Sequence, residues 1–67
     1  MSDTVIFWLQ NLYDREIKEA EDTIKNEKFM SLGYKGSENP HNSNIQILKE
    51  YISKLNELKS SLTNNIE

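Results

Sequence analysis

The stretch Gly33-Tyr34-Lys35-Gly36-Ser37-Glu38-Asn39-Pro40-His41-Asn42-Ser43 holds both glycines and the only proline of a 67-residue chain. Gly and Pro are the strongest local breakers of regular structure, and the polar turn formers among them complete the signature of a loop. The reading is a loop over 33–43, long for a helix–helix connection, where roughly 2–8 residues are usual. It separates two segments that contain neither breaker.

Upstream, apolar residues recur at Ile6, Leu9, Tyr13, Ile17, Ala20 and Ile24, the alternating three- and four-residue spacing of an amphipathic helix. The first helix is predicted over about 3–32. Ser2 or Asp3 can cap its start by accepting a free backbone N–H. Gly33 can end it in the left-handed conformation, with Tyr34 packing back onto Phe29. Downstream, Ser43-Asn44-Ile45-Gln46 has the Ser-x-x-Gln form of a capping box, predicting a second helix over about 44–64. Ile45, Leu48, Ile52, Leu55, Leu62 and Ile66 then follow a coiled-coil heptad interrupted by Lys59, with Tyr51 and Leu58 widening the stripe. No strand pattern and no internal repeat is present, and 63–67 is expected to fray.

The fold class expected is therefore all-α: a single domain over 1–67 built as an antiparallel two-helix hairpin, completing a four-helix bundle as a homodimer. The homodimer follows from size. A monomer this short buries only about 60% of the surface its unfolded chain exposes, and small domains then need disulfides, a metal or a partner. Cysteine is absent, and the single His41 cannot anchor a Cys/His zinc site, so no metal and no cofactor is expected.

Length also locates the missing contacts. A first helix of about 45 Å and a second of about 33 Å do not match, so residues 1–9 are expected to overhang. That overhang carries the longest apolar run, Val5-Ile6-Phe7-Trp8-Leu9. Phe7 and Trp8 can each remove about 150–250 Å² from water, and as neighbours they point about 100° apart. Val5, Ile6, Phe7, Trp8, Leu9, Leu12 and Tyr13 are the residues expected to meet a second copy or another protein.

The composition narrows the class of function. Eight basic residues stand against 11 acidic ones, a net charge of −3. All of the excess lies in residues 1–32, which hold seven acids and four bases. Asp14, Glu16, Glu19, Glu21 and Asp22 offer an acidic surface to a basic partner, although i,i+4 pairs such as Asp14–Lys18 also make an ordinary solvated helix face. Nucleic-acid binding draws on clustered Lys/Arg, and here these are scattered. Gly33-x-x-Gly36 matches the backbone clamp of KH domains, but a KH domain needs a sheet, so nucleic acid is only an alternative partner. A structural subunit of a larger assembly is the other alternative.

His41 sits in the predicted loop with no Ser or Cys nucleophile motif near it, and two helices offer little concavity in which to tune a catalytic pair. No enzyme activity is expected. The apolar run is too short for a membrane span or a signal-peptide core, and a cysteine-free chain suits a reducing cytoplasm. The Asn-, Lys- and Ile-rich composition is compatible with an A/T-rich bacterial or phage genome. Together these readings define a small interaction protein that self-associates and binds or inhibits a larger one.

Overall fold

The computed structural model describes residues 2–64, with side chains as far as residue 62. The chain forms two helices, α1 (Asp3–Leu32) and α2 (Pro40–Asn64). They pack side by side and antiparallel: the links His41–Glu27, Tyr51–Glu16 and Lys59–Asp14 step down α1 as they step up α2. The result is a rod with extents of 52 × 14 × 9 Å and a radius of gyration of 15.7 Å. A compact chain of this length would measure about 11 Å.

α1 begins where the sequence places it. The Ser2 hydroxyl accepts the Val5 N–H at 3.3 Å, satisfying one of the donors a helix start leaves open, and its carbonyl accepts the Ile6 N–H at 3.1 Å, the first bond of the helix ladder. The end of α1 differs from expectation. Gly33 lies at φ −90°, ψ −3°, in the right-handed region. The helix closes instead through tighter bonds from the Gly33 N–H to the Met30 carbonyl and from the Tyr34 N–H to the Ser31 carbonyl, both 3.2 Å. The Asn39 side-chain amide also donates to the Ser31 carbonyl, at 3.3 Å, so the Met30 and Ser31 carbonyls find partners without a left-handed turn. Tyr34 turns toward α2, and Phe29 stays exposed.

The second helix starts four residues before its predicted start, and Ser43 is not its cap. Asn39 is: its side-chain oxygen accepts the His41 N–H at 3.0 Å and its carbonyl accepts the Asn42 N–H at 3.2 Å. Pro40 occupies the first helical position, where a missing N–H costs nothing and a fixed φ suits the helix. The loop therefore spans 33–39, within the usual length range, and His41 belongs to α2.

This shift also changes the overhang. A shorter loop lets α2 run further along α1, and Ile6 is only 5% exposed. Leu9 and Tyr13 are half-buried. The core is a single seam in which Ile6, Ala20 and Ile24 of α1 meet Leu55 and Leu62 of α2. Ile17, Ile45, Leu48 and Ile52 are half-buried along it. The heptad position Ile66 lies outside the described residues.

Candidate interaction face

Each core position has a neighbour one residue earlier, turned about 100° to one side of the seam. Because the helices run antiparallel, these neighbours lie on the same side of the hairpin for both. The Tyr51 hydroxyl, donating to Glu16 at 3.1 Å, joins two of them directly. On α1 this strip reads Val5, Trp8, Leu12, Glu16, Glu19, Thr23, Asn26 and Met30; on α2 it reads Asn44, Ile47, Tyr51, Lys54, Leu58 and Ser61. Val5, Trp8, Leu12, Met30, Ile47, Tyr51 and Leu58 are all exposed, Trp8 by 75%. The residues one later read Phe7, Gln10, Asp14, Lys18, Glu21, Lys25, Lys28 and Leu32 on α1, and Gln46, Lys49, Ser53, Asn56 and Ser60 on α2. The first side gathers most of the exposed large apolar side chains; the second is mainly polar and charged, with Phe7 and Leu32 as its exposed apolar residues.

The apolar side is densest at the open end of the hairpin. Trp8 stands as a ridge there between two grooves. One, of 430 Å³, is lined by Trp8, Leu9, Asn11, Leu12 and Arg15; the other, of 320 Å³, by Thr4, Val5, Trp8 and Leu9. Leu58 of α2 is exposed toward the same end of the hairpin, beside Lys59, which reaches Asp14.

Of the seven residues expected to meet a partner, the structure therefore presents four at the surface of this region: Val5, Phe7, Trp8 and Leu12. Phe7 points to the opposite, charged side, as its angle to Trp8 requires. Ile6 belongs to the chain's own core, with Leu9 and Tyr13 at its margin. Sequence periodicity finds the core stripe but misses Ile47, Tyr51 and Leu58 as one surface with Val5, Trp8 and Leu12. The signal was the position of each immediately before a heptad core residue.

The acidic residues divide in the same way. Asp14 is paired with Lys59 at 2.5 Å and Glu16 accepts from Tyr51, so both serve the hairpin itself. Its bond to Glu16 holds the Tyr51 hydroxyl protonated, raising its pKa above the ordinary 10.0. Glu19, Glu21 and Asp22 are exposed.

At the loop end, polar side chains clasp the two helices together. The His41 ring nitrogen Nδ1 meets the Glu27 carboxylate at 2.5 Å, and the Asn44 amide donates to the same oxygen at 3.3 Å. The hydrogen bond with His41, more than any other influence, draws the Glu27 pKa below its ordinary 4.5. Asn39 donates to the Ser31 hydroxyl at 2.7 Å, and Tyr34 meets the His41 ring edge-on, with centroids 6.1 Å apart. The Tyr34 ring also covers Gly36, where an added Cβ would meet it at 2.5–2.7 Å. Gly33 and Gly36 both lie on the exposed surface of the loop. Among the described residues no cluster of three or more metal-ligating side chains occurs, and no helix is long and apolar enough to cross a membrane.

These features define an all-helical hairpin with one apolar face. No protein-family model matches the chain, and no curated protein and no solved structure matches it either.

Proposed function

We propose that this chain is a small non-enzymatic interaction module that self-associates through the apolar face of its hairpin and binds or inhibits a larger protein, as small regulators of bacterial or phage type do. The observation that carries the reading is the one-sided surface of Val5, Trp8, Leu12, Ile47, Tyr51 and Leu58. Clusters of exposed large apolar side chains commonly mark sites of protein–protein contact.

Area supports a partner. The accessible surface is 5336 Å², whereas a compact monomer of this mass presents roughly 4,400 Å². The difference, about 900 Å², is close to the roughly 800 Å² that each partner contributes to a standard protein interface. A second copy is the partner always at hand, and two hairpins joined by their apolar faces give the four-helix core that one hairpin lacks. Phe7 and the exposed Glu19, Glu21 and Asp22 then remain for a different, basic protein.

Light scattering over a concentration series tests the self-association. Wild type is expected to approach twice the monomer mass as concentration rises, and Trp8→Ala to stay monomeric with its helix content intact, because Trp8 is outside the hairpin core. A wild type that remains monomeric at the highest concentration, with melting independent of concentration, refutes it.

A further inference from the structure

We propose that the second copy docks only on the open end of the apolar face, antiparallel and overlapping roughly the first half of α1, with each Trp8 seated in the groove between Leu9, Leu12 and Arg15 of its partner. This rests on the self-association proposed above but replaces a full four-helix core with contact between the open ends alone.

A two-fold interface uses the same patch on both copies, so the patch must carry a projection and a receptacle for it. The open end has both. Trp8 is the projection, and the 430 Å³ groove beside it is ample for an indole ring. Arg15, on the groove wall, can lay its guanidinium on the incoming ring.

The offset between ridge and groove selects the orientation. The groove is centred about three residues, or about 5 Å, beyond Trp8 along α1. A two-fold axis perpendicular to α1 near residues 10–11 brings Trp8 of one copy level with residues 12–13 of the other, over the groove. An axis parallel to α1 sets Trp8 against Trp8 and leaves both grooves unfilled.

Charge and polarity limit the overlap. Beyond Leu12 the strip continues as Glu16, Glu19 and Thr23. Parallel hairpins would stack Glu16 on Glu16 and Glu19 on Glu19. A full-length antiparallel overlap would lay Leu12 and Trp8 against Thr23 and Glu27 of the second copy. Overlap at the open ends brings Glu19 level only with the very start of the second copy's α1 and so leaves it at the edge of the interface. The shared surface is then at the small end of the interface range, so association is concentration-dependent and weak.

The chain has no cysteine, so Ser37→Cys places a unique spin label in the exposed loop of the full-length protein. The loop lies about 39 Å from the proposed axis, so the labels of a dimer should be about 80 Å apart by electron–electron dipolar spectroscopy. Full-length antiparallel overlap gives about 55 Å and parallel hairpins place the labels side by side. Trp8, the only tryptophan, reports the same event: its emission should shift to the blue over the concentration range in which the mass doubles. Arg15→Glu, on the groove wall and exposed, should move that range to at least tenfold higher concentration. A dimer with labels 60 Å apart or less, or one whose formation leaves Trp8 emission unchanged, overturns this geometry while leaving self-association standing. A protein that is monomeric throughout removes both.

Discussion

Asn39→Ala and Ser43→Ala make a paired test of where α2 begins. The sequence motif Ser-x-x-Gln points to Ser43 as the cap, whereas the structure gives that role to Asn39. Losing an N-cap side chain costs about 1 kcal/mol. Asn39 also ties the end of α1 to the start of α2 through its bond to the Ser31 hydroxyl, a part-buried contact worth a further ~1 kcal/mol. The sum, about 2 kcal/mol, is large beside the roughly 3–10 kcal/mol expected for a whole domain of this length. With about 4–8 °C of melting temperature per kcal/mol at this size, Asn39→Ala should melt about 8–16 °C lower. Ser43 is exposed within the first turns of α2, where alanine is the better helix former by a few tenths of a kcal/mol. Ser43→Ala should therefore melt at or slightly above wild type. Thermal circular dichroism at one fixed protein concentration measures both, since self-association would otherwise move the midpoints. A Ser43→Ala midpoint several degrees below wild type, beside an unchanged Asn39→Ala, refutes the assignment of the cap.

Leu55→Ala removes one of the five side chains buried among the described residues and should destabilise by about 2–3 kcal/mol, the lower part of the usual range because a thin core can collapse into the space; a urea midpoint within error of wild type contradicts the single-seam core. The folded-state pKa of Glu27 lies below 4.5, so its link to His41 stabilises fully above that value and is lost as pH falls through the lowered one. Glu27→Gln should accordingly flatten the fall in stability below about pH 4.5, and identical acid profiles for variant and wild type count against the clasp. Lys59→Leu removes an ion pair with Asp14 worth at most ~1 kcal/mol and fills a half-buried heptad position with apolar surface. It should melt higher than wild type but give a broader distribution of oligomers, as loss of a polar heptad residue does in coiled coils; a lower melting point with a single species opposes this.

α1 was legible in the sequence because thirty residues without Gly or Pro, a serine before them and a steady apolar period all point one way. The start of α2 was not, because two good signals competed. Asn39-Pro40 is a cap followed by the favoured first helical residue, but Pro40 also closes a run of turn formers, and Ser43-x-x-Gln46 offers a second cap one turn later. What decides between them is tertiary: Asn39 is the residue that reaches Ser31 on the other helix. His41 follows from the same misreading, since a histidine expected in a loop stands one helical position inside α2 and faces Glu27.

The interaction face was legible only in part for a geometric reason. A period count finds the residues that repeat on one helix; it does not say that the flanks of two antiparallel helices join into one surface. Val5, Trp8 and Leu12 stand out as an apolar run, whereas Tyr51 and Leu58 read as a widening of the heptad stripe. Folding puts all five on one side, and the Tyr51–Glu16 bond fixes that side. The same strip turns polar at Glu16 and Glu19, just past the Trp8 grooves. An apolar strip running the full length of a hairpin would permit many alignments of a second copy, including open arrays. Acidic residues midway along it confine favourable contact to one end. The acidic residues of the first half thus stand in two places: Asp14 and Glu16 bond to α2, and Glu16 and Glu19 follow the apolar group Val5, Trp8 and Leu12 along the strip.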